Sequence, residues 1–491
     1  MALPSIIQGG MGIGVSNWQL ARAVSLRGHL GVVSGTAIDS LFVRRLQDGD
    51  PGGHLRRAME RFPLPGVAAD ALKRYFLPDG REGKPYRMLS MYRLGASRAR
   101  EQITMLASFV ETWLAREGHG GLVGINLLTK VQLPNLATLY GAMLAGVDYV
   151  LMGAGIPREI PGVLDALAEH RPASLKLDVE GLAPGESMHA KLEPEAHWTD
   201  ATAPAIRRPW FLPIVSSESL ATMLSRKASG RVDGFVVEGP TAGGHNAPPR
   251  GKEQRNERGE PIYGERDIAN LEAMRELGLP FWLAGGTGSP QALQAALAAG
   301  AAGIQVGTLF AYTDESGLTE ETKRSVLEHA ARGEVDVITD PRASPTGYPF
   351  KVVRWPADAL ATKPARERVC DLGYLRTAYV RPDGRLGYRC AAEPVAAYVE
   401  KGGTEEETEG RRCLCNALMA NVGHAQVREE GRVEPELITS GDDLVGIAGF
   451  LAGRTSYSAD EVVDYLEAGM GGAAGTAGTA GTAVAAGTAG E

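Results

Sequence analysis

Short apolar runs recur along the first two thirds of the chain, and each stops at a small or polar residue. They cover residues 5–10 (SIIQGG), 30–35 (LGVVSG), 122–128 (LVGINLL) and 147–155 (VDYVLMGAG), then 210–217 (WFLPIVSS), 232–239 (VDGFVVEG), 280–286 (PFWLAGG) and 302–308 (AGIQVGT). Helical patterns run between several of them, such as NWQLARAVSLRG from Asn17 and SPQALQAALAAG from Ser289. In the second, Ser289 stands as N-cap with Pro290 at the first helical position, where a missing N–H costs nothing. Uninterrupted apolar strands alternating with helices predict a parallel sheet covered on both faces. Eight such units predict an α/β chain built as a (β/α)8 TIM barrel; an open doubly wound sheet is the alternative.

The pattern is interrupted twice and then extended. A first insert spans about 41–121 and ends in an amphipathic helix with Ile103, Leu106, Val110, Trp113 and Leu114 on one stripe. A second spans about 180–208, preceded by SLKLDV, which reads as an additional strand. The barrel is expected over 1–330 and a C-terminal extension over 331–470. The extension ends in a helix whose start, Ser458-Ala459-Asp460-Glu461, is a capping box. The tail, 471–491, is a Gly/Ala/Thr repeat with too little apolar surface to order itself, and disorder is expected.

Composition narrows the class. With 491 residues, 44% hydrophobic and 22% charged, the chain can bury a large core. A net charge of −8 gives no reason to expect nucleic-acid binding. The N-terminus lacks the basic start and long apolar block of a signal peptide. Residues 277–313 carry no charge, but Gly285, Gly286, Gly288, Pro290, Gln291 and Gln294 interrupt them, so they read as strand, loop, helix and strand and not as a membrane span. The four cysteines, Cys370, Cys390, Cys413 and Cys415, are too few and too local for a disulfide scaffold, which points to a reducing, cytoplasmic setting. Their spacing does not match the paired C-x2-4-C of zinc sites, so no metal is expected.

Three constellations carry candidate chemistry. In VVEGPTAGGHNAPPRG (236–251), His245 follows Gly243 and Gly244 on a loop past the sixth strand. Ligands of parallel barrels meet such loops, and two glycines let backbone lie against something bulky; the alternative is a turn with a solvated histidine. The second is LAGGTGS (283–289) followed by VGT (306–308). Gly285, Gly286 and Gly288 free backbone N–H groups at a helix N-terminus, and Gly307 and Thr308 end the next strand. A phosphate between the loops after strands seven and eight is a recurrent barrel arrangement. The third is IIQGGMGIGVS, whose glycines do not have dinucleotide-fingerprint spacing and instead suggest backbone at Gly10 and Met11 against a flat ring. Asn126 and Ser216, past strands three and five, are candidate polar contacts. The charges of RGKEQRNERGE (250–260) nearly cancel, and a solvated loop is expected.

On IIQGGMG, VVEGPTAGGHNAP and LAGGTGSPQALQAALAAGAAGIQVGTLF, the chain resembles the nitronate monooxygenase (2-nitropropane dioxygenase) family, whose barrel is shared with FMN-dependent enoyl-acyl-carrier-protein reductases. The resemblance spans about 4–316, and CLCNALMANVG (413–423) is similar to a later family segment. It implies FMN, with phosphate on Gly286, Gly288, Gly307 and Thr308 and the ring near Gly10, Met11, Asn126 and Gly243. His245 matches the family's active-site histidine. The activity implied is oxidation of nitronates or nitroalkanes with O2, His245 acting as base. The alternatives are enoyl-thioester reduction with NAD(P)H, and a non-catalytic barrel that binds a phosphate ester. The motifs do not separate these.

Overall fold

The computed structural model describes residues 3–198, 201–357 and 366–468; the low-complexity tail lies outside them. All eight apolar runs form strands: β1 (Ile6–Gln8), β2 (Gly31–Ser34), β3 (Val123–Leu128), β4 (Tyr149–Gly153), β5 (Trp210–Val215), β6 (Phe235–Glu238), β7 (Phe281–Ala284) and β8 (Gly303–Val306). Every neighbouring pair from β2 through β8 is parallel, and β8 pairs in parallel with β1. The sheet closes between β1 and β2. Ile7 bridges Leu30, the Gln8 N–H donates to the Leu30 carbonyl at 2.9 Å, and the Val32 N–H donates to Gln8 Oε1 at 2.9 Å. The fold is therefore a TIM barrel and not an open sheet.

Alternation of side chains explains its two cores. Ile7, Val32, Leu151, Leu212, Val236 and Trp282 point inward and fill the barrel with no exposed surface, as the layered interior of this architecture requires. Trp282 satisfies its indole N–H by donating to the Pro4 carbonyl at 2.7 Å. The outward set joins the helices in a second, larger core. Helices begin where the sequence places caps. The Asn17 side chain accepts from the Leu20 N–H before Trp18–Leu26, and Ser289 accepts from the Ala292 N–H before Pro290–Ala298.

Three features differ from, or go beyond, the linear pattern. The insert helix Arg98–Arg116 is not buried along one stripe only. Thr104, Met105, Ala107 and Phe109 are as buried as Ile103, Leu106, Val110 and Leu114, while Trp113 is half-buried. The helix lies between other helices, packing on Asn135–Leu144 and on those of the insert. The SLKLDV run forms Ala173–Leu177, but outside the barrel, antiparallel to Met188–Leu192 of the second insert. Finally, the capped helix Ala459–Glu467 returns to the barrel wall. Arg27 pairs with Asp464 at 2.6 Å, His29 Nε2 bonds Glu467 at 3.0 Å, and the helix packs beside Trp18–Leu26 and Pro290–Ala298. It thus covers the seam between the last and first units from more than 150 residues downstream of the last strand.

Insert and extension are tied together inside. The Asp39 carboxylate accepts from Arg100 at 2.7 Å and from the Thr104 hydroxyl at 2.9 Å, and the Tyr374 hydroxyl of the extension also donates to it. Both charged side chains are almost wholly buried. Removing one member of such a pair leaves an uncompensated buried charge, whereas removing both is far less costly. We expect Arg100→Met to lower unfolding free energy by about 3–5 kcal/mol in urea denaturation, and the double variant with Asp39→Leu to recover much of it. A loss under about 1 kcal/mol for Arg100→Met would place the pair among weak surface-type bridges.

Candidate functional site

The carboxyl ends of the strands open into a cavity of roughly 1600 Å3, counting its mouth. Its floor is the glycine loop after β1 with the ends of β3, β6, β7 and β8; its outer wall comes from the extension. Of the residues singled out by sequence, Gly10, Met11, Asn126, Gly243, Gly244, His245, Gly285, Gly286, Gly307 and Thr308 all line it. Two do not. Ser216 lines a neighbouring cavity of about 910 Å3, and its carbonyl accepts from Arg250 at 3.4 Å. Gly288 lies behind the wall, with its N–H on Asp443 Oδ2 at 3.3 Å.

The glycines serve different needs. At Gly10 a Cβ would stand 2.2 Å from Cβ of Asn126, so only glycine lets the β1 loop touch β3. Asn126 Nδ2 donates to the Gly10 carbonyl at 2.8 Å and holds that contact. Gly285 and Gly286 have φ of +87° and +68°, the left-handed region that glycine enters at no steric cost. At Gly243 the missing side chain makes room for the chain itself, because a Cβ would lie 2.8 Å from the Gly441 nitrogen. The close approach expected there against a flat ring is thus taken up by backbone of the extension.

That backbone is the segment 438–443, which no local signal in the sequence marks. It threads between the loops after β6 and β8. The Gly244 N–H donates to Thr439 Oγ1 at 2.8 Å, the Gly441 N–H to Thr308 Oγ1 at 3.1 Å, and the Asp442 N–H to the Thr241 carbonyl at 3.0 Å. Lys351 anchors it through Asp442 at 2.5 Å. Asp443 then sets its carboxylate against the Gly288 N–H, at the N-terminus of the helix Pro290–Ala298. A carboxyl oxygen therefore already stands at this helix N-terminus, where oxygen acceptors are favoured. Burial pushes the Asp443 carboxyl up, and the Gly288 N–H only partly offsets this.

His245 is held firmly. Its Nε2 bonds Ser344 Oγ at 2.7 Å, its ring meets Phe350 edge-on at 4.8 Å, and its backbone bridges Phe350 in antiparallel fashion. Burial, with the positive charge of Lys130, pushes its pKa down to about 4, so the imidazole is neutral at pH 7 and weakly basic. A second titratable group, Glu238 at the end of β6, was not singled out by sequence. An acidic residue closing an apolar strand two positions before Pro240 was the available signal. Burial alone pushes its carboxyl up to about 8. Cys415 also lines the cavity, and burial pushes its thiol up. Among the described residues no cluster of three or more side chains suits a metal.

Residues 209–341 match the family model described as nitronate monooxygenase. No curated protein matches the chain. Among solved structures, the chain is similar to FabK from Thermotoga maritima, with 16% identity over 96% of this chain and 93% of that one and a TM-score of 0.45. It is similar also to nitroalkane oxidase from Streptomyces ansochromogenes, with 17% identity, 95% and 96% coverage and a TM-score of 0.43. A third is the enoyl reductase domain of MlnA from the macrolactin biosynthesis cluster of Bacillus amyloliquefaciens, with 11% identity, 96% and 95% coverage and a TM-score of 0.45. The strands, glycine loops and histidine that build the second half of the barrel thus coincide with a nitronate monooxygenase family segment, the family that the sequence motifs resemble.

Proposed function

We propose that this chain is an FMN-dependent oxidoreductase whose cavity accepts an acyl-chain substrate, an enoyl thioester reduced at the expense of NAD(P)H. The residues fit the cofactor. Asn126 and Gln305 line the cavity, and each keeps a buried side-chain oxygen without a partner among the described residues; buried acceptors ordinarily have donors. Gly307 leaves open space, since a Cβ there would meet only Met11 Sδ at 3.8 Å. Gly286, Gly307 and Thr308 would hold the phosphate, and Gly10, Met11, Asn126 and Gln305 the ring. Bound flavin supplies the two-electron chemistry.

The observation that carries the acyl reading is the outer wall. Phe350, Leu375, Leu414, Leu418 and Ile438 of the extension face Leu128 and Val131 across the cavity. The cavity lining runs without a break from the glycine loops at the strand ends onto this apolar wall, so a cofactor at the loops would leave its reacting face toward apolar side chains. A small nitroalkane would not need this wall. The acid–base groups point the same way. Abstraction of a proton from a neutral nitroalkane calls for a base near its working pH, and His245 is too weakly basic while Glu238 carries its proton. His245 serves better as a neutral hydrogen-bonding group that steadies a carbonyl oxygen. Nitronate oxidation is the second reading, favoured by the family match over residues 209–341; a preformed nitronate needs no base.

Anaerobic mixing separates the two. We expect NADPH to bleach the FMN-loaded protein and an enoyl thioester to restore its colour, with nitronate inert. Bleaching by nitronate but not by NADPH reverses the assignment. Protein that takes up no FMN at all favours the non-catalytic, phosphate-ester-binding barrel.

The nest generates a further pair of outcomes. Asp443→Asn replaces an ionisable carboxyl beside the proposed phosphate position with a neutral amide and should tighten FMN binding several-fold by fluorescence titration; weaker binding would mean that Asp443 supports the cofactor. Gly286→Val should abolish binding, because φ is +68° and a Cβ would press on Thr241 Oγ1 at 3.2 Å.

A further inference from the structure

The cavity at the strand ends and its neighbour beside Ser216 share four lining residues: Ala154, Ile214, Glu238 and His245. Two are apolar, so the partition between the chambers carries two titratable side chains. One of them, His245, is committed to Ser344. The other is free to act. Glu238 is the last residue of β6, locked in register opposite Ala284, and the next N–H, that of Gly239, donates to the Ala284 carbonyl at 2.9 Å. The backbone thus sets the carboxyl where both chambers reach it.

From this placement we infer that Glu238 is the proton donor of the site, delivering its proton across the partition to the substrate carbon that becomes negative as the neighbouring carbon receives hydride. The inference rests on the reductase reading. The step balances. Bound flavin, reduced by NAD(P)H, would supply the hydride that one carbon of the enoyl C=C receives. The Glu238 O–H bond breaks and a C–H bond forms at the other carbon. The C=C becomes a single bond, and the carboxylate left behind regains a proton from water in the chamber beside Ser216.

The surroundings suit a donor. No charged or hydrogen-bonding neighbour among the described residues moves the Glu238 carboxyl, and burial alone keeps it protonated at pH 7. The charged groups of the two chambers are engaged elsewhere. Arg250 donates to the Ser216 carbonyl, Asp267 accepts from the Arg250 backbone, and Asp443 accepts from Gly288. Lys130 sits over the Tyr348 ring at 5.1 Å and acts on His245. Two of the phenols do not compete: Tyr263 donates to the Ala247 carbonyl with its pKa raised to about 12, and Tyr374 is raised further by burial and Asp39. The Cys415 thiol is raised by burial as well. Glu238 is thereby the acid of the partition that can part with a proton near neutrality.

The test uses the FMN-loaded protein and the near-isosteric Glu238→Gln. In stopped flow, NADPH should bleach wild type and variant at similar rates. Reoxidation by an enoyl thioester should fall by about 10²–10⁴-fold in the variant, the usual worth of a positioned acid. In wild type that reoxidation should decline as pH rises through about 8, where Glu238 loses its proton. The decline should vanish in Glu238→Gln and persist in His245→Gln. Independently of turnover, the infrared C=O stretch of a carboxylic acid should titrate near the same pH in wild type and be missing in the variant. Wild-type reoxidation rates in Glu238→Gln, a decline that persists there, or a carboxyl already ionised at pH 6 would each overturn the inference. NADPH that never bleaches wild type would sink the reductase reading and the step built on it. The infrared titration would still show whether the proton resides on Glu238.

Discussion

Contact between the mouth of the barrel and the segment 438–443 is the constraint on which the site depends. Gly243 can have no side chain because Ser440 and Gly441 lie against it, and Thr308 Oγ1 accepts the Gly441 N–H. This backbone-to-backbone fit brings Asp443 into the anion nest and Ile438 into the apolar wall. Without it, the strand ends would form a shallow bowl. With it, they form a chamber roofed by chain from the far end of the sequence.

Such a roof needs stiff attachment. Lys351 bonds Asp442, and the strand Phe350–Arg354 runs beside both His245 and Ile438 through the Lys351 N–H to Gly244 and the Val353 N–H to Ile438. On the other side, Tyr374 lines the cavity while its hydroxyl donates to Asp39, the buried partner of Arg100 of the insert. A charge pair buried as fully as Asp39 and Arg100 contributes little net stability but is costly to break. The insert is thereby locked to the extension on the same side of the barrel, and one wall of the cavity inherits that rigidity.

Within the chamber, burial sets the acid–base chemistry. Desolvation disfavours charge, so it lowers a histidine and raises a carboxyl. Burial leaves His245 and Glu238 both neutral at pH 7, with the Lys130 charge adding to the effect on the histidine, yet the consequence differs: the histidine loses basicity, whereas the glutamate keeps a proton to give. Both stand at the partition between the two chambers, and among the described residues neither is drawn into an ion pair.

The amino-acid sequence by itself determined the barrel. Eight apolar runs became the eight strands, Ser289 and Ser458 cap the helices they were read to cap, and the glycine and histidine motifs meet at one cavity. These features are legible because strand periodicity, caps and glycine turns are local. Tertiary structure alone decided the rest. The helix Ala459–Glu467 completes the wall beside Trp18–Leu26, although its own sequence shows only that it is a helix. Gly243 makes room for the chain where a cofactor was expected, and Ser216 falls into a different chamber from its companions. Glu238 became conspicuous only when, among the described residues, burial alone proved to act on it. Each of these depends on which distant segments are brought into contact, and periodicity along a chain carries no record of that.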